Sequence, residues 1–168
     1  MNWKLELKKL KLEYIKAKSP DFFEASGGYS MKVNPYSDRT TNFLTKAVMD
    51  WLKYNGHYAN RINTQGQVRK ERIELAFGNY RENLTYTPST TNKGTADVDS
   101  IISSRGASGG TSGQSVKIEI KCKATGDRIR PNQLKEKARV EAAGGIYLIV
   151  TDMETFVEWY KSFVYGAD

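Results

Sequence analysis

The sequence predicts a single three-layer α/β domain, in which helices flank a mixed central β-sheet. Apolar side chains recur at helical spacing over residues 41–55. Apolar and charged side chains alternate over residues 116–123, as in a strand with one buried face. The pattern over residues 131–150 predicts a helix followed by another strand, which completes a strand-helix-strand unit. With 168 residues and 39% hydrophobic side chains, the chain is long enough for one core.

The N-terminal part of the chain is predicted to be a helix followed by a connecting arm. Residues 3–17 mix alternating and helical apolar spacing, and Pro20 ends the predicted helix. Residues 19–40 contain glycines and a proline without a sustained apolar period, which is typical of a connection. We therefore divide the chain into a lysine-rich N-terminal helix with its arm, residues 1–39, and a domain of residues 40–168.

The helix over residues 41–55 is the most strongly indicated element. Thr40 or Thr41 is its predicted N-cap, and Asn55-Gly56 is its predicted end. We predict that it is followed by a strand over 58–63, a turn at 64–67 and a hairpin or irregular cover over 68–88.

The C-terminal half supplies the rest of the predicted sheet. Serines and glycines dominate residues 103–115 and predict a flexible loop that joins two strands of a hairpin. A proline at the first helical position and a Gly144-Gly145 pair bound the next helix. The predicted elements are strands over 96–102, 116–123 and 146–150, and helices over 131–143 and 154–163.

The net charge of +7 is concentrated in two parts of the chain. Residues 1–18 carry six lysines against two glutamates, and residues 116–139 carry eight basic against three acidic residues. Basic clusters of this kind are typical of a surface that binds a polyanion, so nucleic acid is the favoured partner. The alternative is that the lysines only form solvated faces that maintain solubility.

Several classes of site are disfavoured by composition. Cys122 is the only cysteine and His57 the only histidine, so a disulfide within the chain, a zinc site and a Cys-His or Ser-His-Asp centre are not expected. No long apolar run or signal-peptide core is present, which predicts a cytoplasmic protein without membrane association. Catalysis would depend on carboxylates, lysines and hard cations.

One constellation of this kind is present. Glu119 and Lys121 lie two residues apart in an alternating strand and therefore share its charged face. Asp97 opens the neighbouring strand of the predicted hairpin, which would place a second carboxylate close to Glu119. Two close carboxylates repel each other unless a proton or a cation lies between them, so a divalent metal is expected here. The alternative is an ordinary solvated face of charged residues.

These residues resemble a known family. Gly94-Thr95-Ala96-Asp97 followed by Glu119-Ile120-Lys121 is similar to the G-x-P-D … E-x-K motif of the PD-(D/E)xK nuclease superfamily, with alanine where proline is usual. Residues 126–133 and 142–150 resemble its virus-type replication-repair nuclease (VRR-NUC) branch, in which a glutamine-bearing helix and a G-G-x-Y strand follow the acidic strand. The resemblance covers about residues 41–160 and implies a restriction-endonuclease-like core.

The resemblance implies a role for each residue of the constellation. Asp97 and Glu119 would bind Mg²⁺ or Mn²⁺, with the main-chain carbonyl of Ile120 as a third ligand. Lys121 would orient or deprotonate the attacking water, and Gln133 would support the site from its helix. The expected catalytic residues are thus Asp97, Glu119, Lys121 and Gln133.

Two further residues are candidates for the same site. Asp99 shares a face with Asp97 and is a plausible substitute for it, unless it pairs with a lysine. The family usually has a glutamate in the first turn of the helix at 41–55, where this chain has Asn42. Asn42 is able to bind a metal through its side-chain oxygen, although an asparagine at such a position is more often a helix cap.

The resemblance implies a Mg²⁺- or Mn²⁺-dependent DNA endonuclease that cuts double-stranded or branched DNA such as Holliday junctions. It also implies a homodimer in the bacterial cytoplasm, or a phage protein in the host cytoplasm. The alternatives are a non-catalytic DNA-binding module with the same fold and, ranked last, RNA binding through the ten tyrosines. Expected DNA contacts are Lys117, Lys123, Arg128, Arg130 and Lys135.

Overall fold

The computed structural model describes residues 2–62, 67–88, 94–105 and 111–166. Its helices are α1 (Trp3–Lys18), α2 (Pro20–Ala25), α3 (Thr41–Tyr54), α4 (Pro131–Ala142) and α5 (Met153–Tyr165). Its strands are β1 (Tyr58–Arg61), β2 (Gln67–Glu74), β3 (Tyr80–Thr87), β4 (Val98–Arg105), β5 (Thr111–Ile120) and β6 (Ile146–Val150).

Four strands form a central sheet in the order β1-β4-β5-β6. The pairs β1 with β4 and β4 with β5 are antiparallel, whereas β5 and β6 are parallel and are joined through α4. A parallel pair needs a crossover connection of this kind. The prediction of an α/β fold with a mixed central sheet flanked by helices is therefore confirmed.

The core lies between the sheet and the helices α1, α3 and α5. Leu44, Val48 and Trp51 form the buried stripe of α3 and belong to the same cluster as Ile118 and Ile120 of β5. α1 contributes to this cluster as well, through Trp3 and Leu7. Within the described ranges, no helix combines the length and hydrophobicity that crossing a bilayer requires.

Two expectations about loops need correction. β4 and β5 extend into the segment 103–115 that was predicted to be a loop, with Ser103 opposite Gly113. The composition was misleading because a hairpin ladder is held by backbone hydrogen bonds, which serine and glycine make as well as other residues. Residues 106–110 of that predicted loop, residues 64–66 of the predicted turn and residue 63 of the predicted strand lie outside the described residues.

The arm over residues 19–40 is not irregular throughout, because it contains α2. Pro20 occupies the first turn of α2, where the missing N–H is not needed, and Phe23 is buried. Pro20 therefore separates two helices as well as ending the first. The alternative of a hairpin over 68–88 is confirmed by the antiparallel pair β2 and β3.

Candidate active site

Glu119 of β5 points away from the face that carries Ile118 and Ile120, yet it is only 2% exposed. Its Oε1 lies 2.9 Å from the Lys121 ammonium and also accepts a hydrogen bond from the side-chain amide of Gln133. Its Oε2 accepts a hydrogen bond from the Tyr147 hydroxyl at 3.2 Å. A buried carboxylate is thus held by three donors from three different segments of the chain.

The electrostatics of this carboxylate favour a positive charge beside it. Burial raises the pKa of Glu119, and the negative charge of Asp97 acts in the same direction. The ammonium of Lys121 and the hydroxyl of Tyr147 oppose that rise by stabilising the charged form. Burial and the neighbouring Glu119 also raise the pKa of Tyr147, so its hydroxyl remains a donor.

Asp97 directly precedes β4 and contacts the same part of β5. Its Oδ2 accepts a hydrogen bond from the backbone N–H of Ile120 at 2.9 Å, and its carbonyl accepts one from the N–H of Ile62 at 2.8 Å. The ladder ends with Val98 opposite Ile118, and Asp97 and Glu119 are the next residues beyond that pair. The negative charge of Asp97 is close enough to contribute to the raised pKa of Glu119.

Gln133 lies in the first turn of α4 and makes two hydrogen bonds there. Its Oε1 accepts from the N–H of Arg130 at 2.8 Å, which caps the helix, while its amide donates to Glu119. Gly94 allows α4 to approach this closely, because a Cβ at Gly94 would collide with the Asn132 carbonyl. The structure therefore brings together all four side chains that the sequence assigned to catalysis.

The two further candidates have protein partners. The side-chain oxygen of exposed Asn42 accepts a hydrogen bond from Arg61 at 2.9 Å. Asn42 is not the cap of α3, since Thr40 accepts from the N–H of Phe43 and fills that position. Asp99 forms an ion pair with Lys117 at 2.5 Å, which confirms the lysine-paired alternative for it.

The oxygen atoms available at this site suit a hard cation to which the protein itself contributes only a few ligands. Asp97 and Glu119 supply carboxylate oxygens, and the carbonyl of Ile120 is the expected third oxygen. Among residues 2–62, 67–88, 94–105 and 111–166, no group of three or more Asp, Glu, His or Cys side chains could hold a metal. Mg²⁺ is commonly bound by one or two carboxylates, with water and substrate phosphate as its other ligands.

Four of the five expected DNA contacts are exposed. Lys123, Arg128, Arg130 and Lys135 lie in the connection between β5 and α4 or in the first turns of α4. Lys117 differs from them, because it is half-buried and its charge is already paired with Asp99. The exposed cations and Lys121 thus belong to one segment of the chain.

Sequence reasoning did not assign a role to Tyr147 or Arg61. Tyr147 lies opposite Lys117 in the parallel ladder, so alternation along β5 and β6 places it on the face of Glu119. The sequence signal for Tyr147 was its position in the strand after α4, but its contact with Glu119 depends on which strands pair.

Comparison of the chain with protein-family models, with curated proteins and with solved structures gives no match.

Proposed function

We propose that this chain is a Mg²⁺- or Mn²⁺-dependent DNA endonuclease with a three-layer, restriction-endonuclease-like core of the VRR-NUC type. The observation that carries the proposal is the buried Glu119 carboxylate, which the Lys121 ammonium and the Gln133 amide contact beside Asp97. Burying a carboxylate beside a lysine and a second carboxylate costs stability, and such groups cluster at functional sites.

The proposed reaction is hydrolysis of a phosphodiester bond. A divalent cation held by Asp97, Glu119 and the carbonyl of Ile120 would supply positive charge next to the reacting phosphate. Lys121 would orient the attacking water and either, as an ammonium, offset charge that develops on the phosphate oxygens or, in its neutral form, take the proton of that water. Gln133 and Tyr147 fix the orientation of the Glu119 carboxylate through one hydrogen bond to each of its oxygens.

The proposed substrate is double-stranded or branched DNA such as a Holliday junction. The exposed side chains of Lys123, Arg128, Arg130 and Lys135 would contact phosphates on either side of the bond that is cut. These contacts are independent of base sequence, so selectivity would depend on the shape of the DNA.

A non-catalytic DNA-binding module is the second candidate, and a specific observation favours it. Both oxygens of Glu119 already accept hydrogen bonds from protein donors. Asn42, which stands where the family has a glutamate, accepts a hydrogen bond from Arg61. A chain with these contacts would retain the cationic surface but would bind a cation weakly.

A cleavage assay on supercoiled plasmid and on a four-way junction, with Mg²⁺, Mn²⁺ or EDTA, separates the two candidates. We expect metal-dependent cutting that falls by about 10²- to 10³-fold in Glu119→Gln and in Lys121→Met. Glu158→Gln, an exposed carboxylate of α5, is the matched control and should retain the wild-type rate. Wild-type rates in both site variants would refute the catalytic assignment, and tight binding without any cutting would establish the binding module.

Thermal unfolding gives a readout that does not depend on activity. A cation that binds only the folded state raises Tm with its concentration. We expect Mn²⁺ to raise the Tm of the wild type and of Glu158→Gln, and to raise that of Glu119→Gln much less. Equal shifts in all three proteins would show that the cation binds elsewhere.

A further inference from the structure

The hairpin of β2 and β3 is the part of the structure that the proposed nuclease site does not use. Its strands of 8 residues each pair in register from Gln67 with Thr87 to Glu74 with Tyr80. Every side chain from residue 68 to residue 88 is exposed. A two-stranded hairpin is at best marginally stable alone in water, so contact with a partner would stabilise it.

The two faces of the hairpin carry different sets of side chains. Residues directly opposite each other share a face, and faces alternate along each strand. We call the face of the Arg69–Thr85 pair the polar face, and its described side chains are Arg69, Glu71, Ile73, Arg81, Asn83, Thr85 and Thr87. In the major groove of DNA, arginine pairs with guanine, asparagine with adenine and glutamate with cytosine, while the threonine methyl group contacts thymine. The polar face thus consists mainly of side chains that can read bases.

The cations of the two faces differ in their partners. On the face opposite the polar face, Lys70 lies 3.8 Å from Glu82, and the guanidinium carbon of Arg72 lies 3.6 Å from the centroid of the Tyr80 ring. Within the part of the chain that the structure describes, the two arginines of the polar face form no ion pair. The polar face therefore has cationic donors available for a partner, whereas both cations of the opposite face are engaged within the hairpin.

We propose that the polar face enters the major groove of double-stranded DNA and reads base pairs there. This proposal rests on the proposed function for its choice of DNA as the partner. The contacts to base edges come from Arg69, Arg81, Asn83 and Thr85. Selectivity among DNA duplexes then depends on base sequence as well as on shape, because the exposed cations of residues 123–135 contact phosphates and do not distinguish sequences.

The dimensions of the hairpin select the major groove. Paired strands lie about 4.8 Å apart. The major groove is about 12 Å wide and admits a two-stranded ribbon, whereas the minor groove is only about 6 Å wide. Strands of 8 residues are about 26 Å long, which is enough to follow several base pairs. Duplex RNA does not suit the same contact, because its major groove is too deep and narrow for side chains to read.

Selection from a pool of random DNA duplexes tests the proposal, with the full chain in EDTA so that no metal-dependent cutting occurs. Fluorescence anisotropy at one salt concentration then gives two dissociation constants, one for the selected duplex and one for a scrambled duplex of the same composition. We expect the wild type to enrich one sequence and to bind the scrambled duplex at least about 10-fold more weakly.

Variants of neighbouring residues on the two faces locate the base contacts. Arg69→Ala and Asn83→Ala each remove a side chain that can contact a base through two hydrogen bonds, which is worth about 5- to 150-fold in discrimination. Each should therefore lower the ratio of the two dissociation constants by at least about 5-fold. Lys70→Ala and Leu84→Ala are the matched controls on the opposite face and should leave the ratio unchanged. All four side chains are exposed, so thermal unfolding should show that every variant is folded.

Three results would overturn the proposal: a wild type that enriches no sequence, a wild-type ratio in both polar-face variants, or an equal fall of the ratio in the control variants. Weaker binding of both duplexes by the same factor would mean that the hairpin contacts only phosphates. A base preference in a chain that cuts no DNA would refute the nuclease and leave this proposal standing. Cleavage without any base preference would do the reverse.

Discussion

The side chain of Gln133 connects the start of α4 to the carboxylate of Glu119. Its amide nitrogen donates to Glu119, while its oxygen accepts from the N–H of Arg130. The same residue thus caps a helix and holds a buried carboxylate. Stability and the candidate chemistry are therefore coupled at this position.

Replacement of Gln133 by alanine should lower both stability and cleavage. It removes the cap and leaves Glu119 with one donor fewer, which together should reduce the free energy of unfolding by about 1 to 3 kcal/mol. Leu134→Ala, at an exposed residue of the same turn, should change it by less than about 0.5 kcal/mol. Urea unfolding of the two variants checks this, and equal small effects would show that the Gln133 contacts contribute little.

Gly94→Ala should destabilise the protein more than Gly56→Ala does. Both glycines have positive φ, +95° and +82°, so both substitutions incur a backbone penalty of about 1 kcal/mol. At Gly56 a Cβ would meet open space, whereas at Gly94 it would collide with the carbonyl of Asn132. We expect an additional loss of about 1 to 3 kcal/mol at Gly94.

Chemical denaturation of the two glycine variants measures that difference. The same steric contact should displace the first turn of α4, so Gly94→Ala should also cleave DNA more slowly than Gly56→Ala. Identical unfolding midpoints would mean that α4 moves freely relative to Gly94.

His57 should make stability depend on pH. Burial lowers the pKa of His57 below the usual value of a histidine, about 6.5. The ring accepts from the N–H of Ser103 at Nδ1, and its Nε2 lies 2.7 Å from the Tyr160 hydroxyl, so the neutral form suits this position. The unfolded chain binds the proton more readily, so this contribution is present above about pH 6.5 and is lost as the pH falls below it.

Urea unfolding midpoints between pH 5 and pH 8 test this for the wild type and for His57→Gln. The wild type should lose stability towards pH 5 more steeply than the variant. The raised pKa of Glu119 acts in the opposite sense in both proteins, so the difference between them isolates His57. Parallel pH profiles would show that His57 does not contribute.

The salt dependence of DNA binding should distinguish the exposed cations from Lys117, which is paired with Asp99. Each phosphate contact that is lost reduces the slope of log K against log salt by about one. Arg128→Gln and Lys135→Gln remove exposed cations and should each reduce the slope in this way. Lys117→Gln should change it less, because Asp99 already neutralises that lysine.

Fluorescence anisotropy with one DNA duplex from about 50 to 200 mM salt supplies the slopes. Equal reductions for Lys117→Gln and Arg128→Gln would show that the ion pair with Asp99 opens when DNA binds. Unchanged slopes in all three variants would place the DNA-binding surface elsewhere on the protein.

The sequence by itself determined the periodic elements and the shared face of Glu119 and Lys121. Side-chain alternation and helical spacing are local properties, so they predicted α3, the later part of β5 and the unit of β5, α4 and β6. Composition was a weaker guide. It predicted a loop over 103–115, where backbone pairing extends β4 and β5.

Only the tertiary structure decided which groups contact each other across the site. Tyr147 reaches Glu119 because β6 pairs with β5 in parallel, and Asn42 meets Arg61 because α3 packs beside β1. Neither contact follows from spacing along the chain. Long-range pairing selects one arrangement from many that local patterns allow, and it also leaves the hairpin of β2 and β3 exposed on both faces.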